Sequence, residues 1–197
     1  MKVLIVHAHP EPKSFCGSLF DESVKSLRLE GHEVQTADLY RMNFDPVSDR
    51  RNFTQENDPI YFKQQIEEMY AAETGGFSPD IEAEMQKVEW CDLMIWQFPL
   101  WWFGVPAILK GWVDRVFAMG RFYGHAQICE TGVLKGRRAM LSLTTGAPFE
   151  WYQPEGTIGD INAILRPIQL GMLRFVGFNV LSPQISYGPA HKSDAER

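Results

Sequence analysis

The stretch from Leu93 to Phe117 constrains the fold more than any other part of the chain. An apolar run leads to Gln97, a turn rich in aromatic residues and proline follows, and Pro106 then opens an amphipathic helix. Proline is favoured at the first helical position, and apolar residues recur at helical spacing. The apolar face contains Ile108, Leu109, Trp112, Val113, Val116 and Phe117, and the opposite face Lys110, Asp114 and Arg115. The pattern predicts a buried strand, an aromatic turn and a helix that packs back against the sheet.

The aromatic turn leaves two interpretations open. A membrane span is not expected, because a span needs about twenty apolar residues and this run contains Gln97, Pro99 and Pro106. The turn either packs into the protein core or covers a flat ligand. The second interpretation follows from its place at the carboxyl end of a strand, where open α/β sheets bind their cofactors.

Composition narrows the class of protein. The 197 residues carry a net charge of −6 without a cluster of lysine or arginine, so we expect one domain over 1–197 and no nucleic-acid partner. Cys16, Cys91 and Cys129 are widely spaced and odd in number, which predicts neither a disulfide framework nor a metal site. The apolar run Val3–Val6 is too short for a signal peptide. The expected location is therefore the cytoplasm.

Apolar, β-branched segments alternate with helical ones along most of the chain. A helix is predicted from about Ser18 to Glu30, where Gly31 ends it. The predicted strands are Lys2–Val6, Glu33–Ala37, Asp92–Gln97, Arg138–Thr144 and Asn179–Ser186. Strands joined by helices form right-handed parallel units. We expect an α/β fold with a doubly wound, five-stranded parallel sheet in the order 2-1-3-4-5 and helices on both faces.

The alternation breaks at about residues 45–80. This polar segment contains a helical piece, Tyr61–Glu73, after which Ser78 and Pro79 can begin another helix that runs to about Trp90. The segment is interpreted as an insertion within one domain. Long insertions of this kind often form lids or interfaces, and a solvated surface helix remains the alternative.

Three loops that contain candidate binding or catalytic residues follow strands that would be neighbours in this sheet. The first ends at a helix amino terminus, which suits a phosphate group, and offers His9, Lys13 and the Ser14 hydroxyl, although His9 could also be a turn residue. The second is the aromatic turn. The third begins at Thr144, and its glycine permits close approach to a ligand; it contains Thr144, Thr145, Gly146 and Ala147, followed by Tyr152. A phosphate site, an aromatic wall and a polar wall together suit a flavin.

Several longer motifs resemble one known family over nearly the whole chain. The motifs are His9–Phe15 (HPEPKSF), Ser78–Ile81 (SPDI), Gln97–Trp112 (QFPLWWFGVPAILKGW), Leu141–Gly146 (LSLTTG), Gly159-Asp160, Pro167-Ile168-Gln169 and Gly177-Phe178. With them the chain resembles the FAD-dependent NAD(P)H:quinone oxidoreductases of the DT-diaphorase type, which have a flavodoxin-like fold.

The resemblance implies roles for individual residues. Around the flavin phosphates it implies His9, Ser14, Phe15 and Cys16. Along the flavin wall it implies Pro99, Leu100, Trp101, Trp102 and Phe103. At the polar edge of the isoalloxazine it implies Thr144, Thr145, Gly146, Ala147 and Tyr152, and near the adenine Arg197. For the substrate it implies Trp102, Phe103 and Phe175, with Tyr123 and His125 contributed by the partner subunit of a homodimer.

The chain departs from the family pattern at three positions. Cys16 replaces an asparagine, Trp101 a glutamine, and Ile158 a histidine that the family pairs with the tyrosine matching Tyr152. Without that imidazole, Tyr152 and the amides of Thr145–Gly146 are expected to stabilise negative charge on the reduced flavin. Tyr152 is therefore the predicted catalytic side chain.

The resemblance implies a function. Hydride passes from NADH or NADPH through FAD, in preference to FMN, to a quinone or to a similar flat electrophile such as an azo or nitroaromatic compound. Two alternatives stay open: a regulatory ancillary subunit of a potassium efflux system, and a flavodoxin-like one-electron carrier.

Overall fold

A parallel sheet forms the centre of the protein, whose computed structural model describes residues 1–193. Its strands are β1 (Lys2–His7), β2 (Glu33–Asp38), β3 (Leu93–Pro99), β4 (Arg138–Thr145), β5 (Asn179–Val180) and β6 (Gln184–Tyr187). The order is β2-β1-β3-β4-β5, and β6 also pairs with β4. The predicted α/β class and the order 2-1-3-4-5 are confirmed.

Helices cover both faces of the sheet. They are α1 (Phe15–Leu29), α2 (Gln64–Thr74), α3 (Pro79–Trp90), α4 (Ala107–Val116) and α5 (Ile161–Ile168), the last of which continues into a π-helical segment, Gln169–Arg174. One face of β1 and β3 buries Val3, Ile5 and Ile95 beneath apolar residues of α1. The other face buries Leu4, Met94 and Trp96 in a larger core with α3 and α4. Residues of β1 and β3 alternate between these two layers, as a strand covered on both faces requires.

The last predicted strand, Asn179–Ser186, is wrong as a single element. It is divided into β5 and β6, each of which pairs in parallel with β4. The backbone N–H of Leu181 still donates to the carbonyl of Ala139 at 2.8 Å. Pro183 has no N–H to donate to the ladder, so the pairing stops before it and resumes at Gln184.

Three helix starts differ from the predicted ones: α2 begins at Gln64 instead of Tyr61, and the other two changes affect loops of the candidate site. The first helix begins at Phe15 instead of Ser18, because Ser14 caps it: its hydroxyl oxygen accepts the N–H of Gly17 at 3.0 Å. Pro106 occupies the N-cap position of α4 rather than the first helical position. The earlier start of α1 shortens the loop after β1, and the later start of α4 moves the end of the loop after β3. These two loops carry part of the candidate site.

Arg115 does not lie on a solvated face of α4, as its helical spacing predicted. Its side chain is buried, and Nε donates to Oδ1 of Asn52 at 2.6 Å while a second nitrogen donates to the carbonyl of Asp45 at 2.7 Å. The segment that begins at Asp45 packs directly on the helix: a Cβ added to Gly111 would lie 2.2 Å from the carbonyl oxygen of Pro46. The polar segment therefore covers the Arg115 side of α4, whereas Lys110 and Asp114 of the same polar face stay exposed.

Candidate active site

The carboxyl ends of β1, β3 and β4 lie side by side in the centre of the sheet, and the three predicted loops leave from them. The loops are tied at their bases by backbone hydrogen bonds. The N–H of Ala8 donates to the carbonyl of Gln97 at 3.0 Å, and the N–H of Leu100 donates to that of Thr144 at 2.8 Å. Their geometry is therefore fixed relative to the sheet, as a preformed ligand site requires.

The first loop presents a helix amino terminus and an oriented imidazole. The N–H groups of Phe15 and Cys16 lie in the first turn of α1, where a helix provides no internal partners. Nδ1 of His9 lies 3.0 Å from the backbone nitrogen of Glu11 and 3.1 Å from the carbonyl oxygen of the same residue, so the turn orients the ring through Nδ1 and leaves Nε2 for a ligand. The Ser14 hydroxyl already accepts from Gly17, so its own hydrogen is available to an anion. The loop is thus a set of donors suited to phosphate oxygens.

Cys16 contributes to this loop through its backbone rather than its thiol. The side chain is buried, and Sγ lies 3.4 Å from Nε2 of Gln97. Burial raises the pKa of the Cys16 thiol to about 11, so the thiol is neutral at physiological pH. Gln97 is a functional candidate that the sequence interpretation missed: it is fully buried, and its Oε1 atom has no hydrogen-bond partner within residues 1–193. Its signal was a lone amide in an apolar strand.

The aromatic turn is a tight reversal made from unusual residues. Trp101 and Gly104 exchange backbone hydrogen bonds at 3.1 and 3.0 Å. Between them, Trp102 and Phe103 have φ angles of 51° and 59°. Such a turn favours asparagine and glycine, and left-handed backbone costs other residues about 1–2 kcal/mol each. Local strain of this kind is maintained where a site needs it.

The turn does not pack into the core. Leu100 beneath it is buried, but the side chain of Trp102 is 98% exposed and that of Phe103 is 55% exposed. The ring centroid of Trp101 lies 6.0 Å from that of His9, so the aromatic turn adjoins the phosphate loop. The core-packing interpretation is therefore wrong, and two aromatic faces stand free at the edge of the sheet.

The third loop forms a polar wall at the end of β4. Thr145 fixes its own loop, since its Oγ1 donates to the carbonyl of Ala147 at 2.8 Å and its carbonyl accepts the N–H of Gly188 at 3.1 Å. Gly146 has no left-handed φ, and a Cβ built on it meets no atom within 4 Å. The fold itself does not require glycine at 146. The remaining reason for glycine at this position is the open space that it leaves for a ligand.

Tyr152 is placed beside this wall. Its ring is buried and packs on Tyr187 with centroids 5.8 Å apart. Within the part of the chain that the structure describes, its hydroxyl makes no hydrogen bond. The N–H of Ile158 bonds to the carbonyl of Trp151 at 2.9 Å, which holds the following loop against Tyr152. Tyr187, the last residue of β6, is a second supporting residue that the sequence interpretation missed, since it lies one residue beyond the predicted strand Asn179–Ser186.

The predicted substrate residues fall into two separate groups. Tyr123 and Phe175 contact each other with ring centroids 5.5 Å apart, and both line a cavity of about 350 Å³ with Phe117. Nε2 of Gln65 lies 3.4 Å from the Tyr123 hydroxyl, and burial raises the pKa of Tyr123. His125 is exposed in a turn of left-handed backbone. Within residues 1–193 these rings make no contact with Trp102 or Phe103. Arg197 lies outside the described residues.

Two further findings concern membrane-spanning helices and metal ligands. No helix within residues 1–193 is both long and apolar enough to cross a membrane. Over the same residues, no group of three or more histidine, cysteine, aspartate or glutamate side chains is arranged to hold a metal ion.

The doubly wound sheet and the site at its carboxyl edge define the class: an α/β protein with a flavodoxin-type ligand site. A family model described as flavodoxin-like fold matches residues 1–197. The chain belongs to this family.

Relatives within the family are named as quinone-dependent dehydrogenases. The chain is 47% identical over 197 residues to a mouse ribosyldihydronicotinamide dehydrogenase [quinone], covering all of this chain and 85% of the relative. It is 46% identical over 191 residues to a rat NAD(P)H dehydrogenase [quinone] 1, covering 96% of this chain and 70% of the relative. A Klebsiella pneumoniae structure described as a quinone reductase superposes with a TM-score of 0.95 at 40% identity, covering 100% of this chain and 79% of that one.

Proposed function

We propose that this protein is a flavin-dependent NAD(P)H:quinone oxidoreductase. The observation that carries the proposal is the strained aromatic turn, whose exposed Trp102 and Phe103 stand between a phosphate-type loop and a polar wall. A flat ring system with a phosphate tail matches all three features. When bound, the flavin supplies the hydride-transfer chemistry, and the protein binds, orients and shields it.

We infer that the flavin phosphates bind at the start of α1. The Ser14 hydroxyl, Nε2 of His9 and the first-turn amides at Phe15 and Cys16 would contact them. We propose FAD rather than FMN. That choice rests on the family resemblance and on Arg197 as the residue near the adenine.

The isoalloxazine ring would lie against the aromatic turn. Pro99 and Leu100 are buried and form the base of this wall, while Trp101, Trp102 and Phe103 provide its exposed faces. On the opposite side, the backbone amides of Gly146 and Ala147 are the available donors, since the Thr145 hydroxyl is engaged by its own loop and Thr144 is buried in β4. Tyr152 is the proposed side-chain donor to negative charge at this polar edge.

We propose that the substrate pocket is completed by a second copy of the chain. Nicotinamide and quinone would occupy in turn the space above Trp102 and Phe103. Tyr123 and Phe175 contact each other and, within the described residues, not these rings. Together with His125 they would close the pocket of the other copy. The family resemblance implies a pocket that is shared in this way. A cytoplasmic homodimer is the assembly that we propose.

Anaerobic mixing experiments test this function. NADPH or NADH should bleach the flavin absorbance of the purified protein, and menadione added afterwards should restore it without formation of a persistent one-electron spectrum. Restoration through a stable one-electron form without direct oxidation of NAD(P)H would favour an electron carrier. A flavin that neither nucleotide reduces would contradict the proposal. No observation in the structure favours the ancillary-subunit alternative.

A further inference from the structure

Two consecutive glutamates of α2 are buried, although the helix belongs to a polar segment. Glu67 is 2% exposed and Glu68 is 3% exposed. A buried carboxylate is costly unless hydrogen bonds or a positive charge compensate for its lost hydration. The contacts of the two side chains therefore show what each of them stabilises.

Glu67 stabilises the segment to which it belongs. Its carboxylate oxygens accept the backbone N–H groups of Asn57 at 2.6 Å and of Asp58 at 2.9 Å. Both partners lie in the predicted insertion at 45–80, a few residues before α2. The hydrogen bonds of Glu67 thus stay within the insertion, so this residue serves as an internal comparison for its neighbour.

Glu68 connects α2 to a distant part of the chain. Its Oε2 atom accepts the backbone N–H of Met119 at 2.7 Å, and its Oε1 atom accepts an N–H of Gln64 at 2.8 Å. Burial raises the pKa of Glu68, and these two hydrogen bonds act in the opposite direction. A carboxylate that accepts a backbone N–H forms a strong, directional contact. Glu68 therefore fixes the chain at Met119.

Met119 begins the loop that carries Tyr123, and this loop packs on the same helix. The N–H of Gly120 donates to the carbonyl of Tyr123 at 2.8 Å. Gly120 has a φ angle of 84°, and a Cβ built on it would lie 3.2 Å from atoms of Met69 and Ala72 in α2. Because the loop is closed by its own hydrogen bond and lies against the helix, a shift at Met119 is transmitted to Tyr123.

The far end of the loop also returns to α2. Nε2 of Gln65 lies 3.4 Å from the Tyr123 hydroxyl. Gln65 and Glu68 are three residues apart, so both lie on one face of the helix. Both also line the cavity of about 350 Å³ that contains Tyr123 and Phe175. This helix face therefore forms one wall of the cavity and supports the Tyr123 loop at both of its ends.

We propose that Glu68 is a positioning residue that sets the place of the Tyr123 ring in the pocket of the second copy. The proposal rests on the proposed function, in which Tyr123 closes the substrate pocket of the partner. Glu68 acts through the Met119 N–H and does not touch the substrate. On this proposal the predicted insertion contributes to the pocket through α2.

Acceptor kinetics of the flavin-loaded protein test this role. In Glu68→Ala the Met119 N–H loses its acceptor, and the KM for menadione should rise about tenfold, since misplacement by about 1 Å can cost up to about 10²-fold. The kcat should stay within about twofold, because only binding is weakened. Glu68→Gln keeps an oxygen for the N–H and should restore the wild-type KM. Glu68→Met, which fills a similar volume without an acceptor, replaces Glu68→Ala if the alanine variant does not fold.

Glu67→Ala is the matched control. It removes an equally buried carboxylate from the same helix, yet the hydrogen bonds that it removes end within the insertion. This variant should lose stability but keep the wild-type KM for menadione. Equal rises of the KM in Glu67→Ala and Glu68→Ala would assign Glu68 to general stability and overturn the proposal.

Mixing of variants distinguishes positioning from a general loss of stability. Glu68→Ala changes only the loop that is offered to the partner. With Trp102→Asn it should therefore regain up to about one quarter of wild-type activity at low menadione concentration, since about half of the dimers contain one intact pocket. With Tyr123→Ala it should regain none, because both chains then offer a defective loop. Recovery with Tyr123→Ala, or none with Trp102→Asn in verified heterodimers, would overturn the proposal.

Hydrogen exchange gives a measurement that does not depend on turnover. The Met119 amide should exchange about tenfold faster in Glu68→Ala than in the wild type or in Glu67→Ala, because its hydrogen bond is lost. Unchanged exchange would overturn the proposal. A flavin that neither nucleotide reduces would contradict the proposed function, whereas the exchange rates would still decide whether Glu68 holds the loop.

Discussion

Several residues at the carboxyl edge are not explained by the stability of the fold. Trp102 and Phe103 occupy left-handed backbone that costs each about 1–2 kcal/mol, and Trp102 makes almost no contact with the protein. Gly146 has neither a strained φ nor a neighbour that excludes a side chain. In each case the local energetics favour a different residue, and a bound ring system explains the residue that is present.

Trp102→Asn separates the effect of Trp102 on protein stability from its effect on flavin binding. Asparagine tolerates left-handed backbone, so the free energy of unfolding of the flavin-free variant should equal or exceed that of the wild type by up to about 1 kcal/mol. The flavin should bind more weakly, because one stacking face is lost. Urea unfolding and fluorescence titration with flavin measure the two quantities. Trp102→Phe is the control and should retain most of the affinity. Unchanged flavin affinity in Trp102→Asn would exclude Trp102 from the wall.

Tyr152→Phe tests the proposed side-chain donor at the polar edge. Loss of one preorganised donor costs up to about 10²-fold, but backbone amides share the task here, so flavin reduction should slow about tenfold, or about 1.4 kcal/mol of barrier. Reoxidation should slow less, and Ile158→His should accelerate reduction. Stopped-flow bleaching measures these rates. Reduction at the wild-type rate in Tyr152→Phe would leave packing on Tyr187 as the role of Tyr152.

At the scale of elements, the termini of strands and helices produce the site. The start of α1 performs two tasks, because Ser14 both caps the helix and faces the proposed phosphate position. The end of β4 is held by the Thr145 bonds, and the aromatic turn by the Trp101–Gly104 pair. The backbone is held by hydrogen bonds at the start of α1, at the aromatic turn and at the end of β4. The side chains of the aromatic turn can therefore stay exposed without packing into the core.

Substitutions at Ser14 distinguish capping from ligand binding. Ser14→Ala should lower the free energy of unfolding by about 1 kcal/mol and weaken flavin binding. Ser14→Asp should restore the cap and the stability, because aspartate is an equally good N-cap, yet its charge should repel phosphate and leave flavin binding weak. Thermal unfolding and flavin titration of both variants provide the comparison. Normal flavin affinity in Ser14→Asp would place the phosphates elsewhere.

The sequence predicted elements well where one periodicity dominates. The strands β1 to β4 and the order of the sheet follow from apolar runs alternating with helical spacing. The split between β5 and β6 was missed because Pro183 interrupts a run that is otherwise β-like. The burial of Arg115 was missed because helical spacing defines a polar face but not which other segment covers it. The loops were located correctly, whereas the strain of the aromatic turn depends on φ angles that residue types alone do not specify.

In the whole molecule, the proposed substrate residues form two groups that do not contact each other within residues 1–193. Trp102 and Phe103 lie at the edge of the sheet, and Tyr123 and Phe175 lie beside α2 and the π-helical segment that follows α5. Exposed aromatic groups of this size usually mark an interaction site. A second copy related by a twofold axis would bring the two surfaces together, which is how isologous dimers complete a pocket.

Sedimentation at micromolar concentration should therefore show a species of twice 22.6 kDa. Mixing two inactive variants provides the stricter measurement. Trp102→Asn and Tyr123→Ala, each with low activity alone, should regain up to about one quarter of wild-type specific activity on mixing, since random pairing creates heterodimers with one intact pocket. A fully active monomer, or no recovery in verified heterodimers, would contradict the shared pocket.

The central claim, that the three loops hold a flavin, is tested most directly by the bound nucleotide itself. The purified protein should carry one flavin per chain with an absorbance band near that of free flavin, and heat should release it for chromatography. We expect the released flavin to be FAD. Release of FMN would show that the site holds a flavin without the adenosine half of FAD. A colourless protein that takes up neither FAD nor FMN during titration, although it is folded by circular dichroism, would contradict the account.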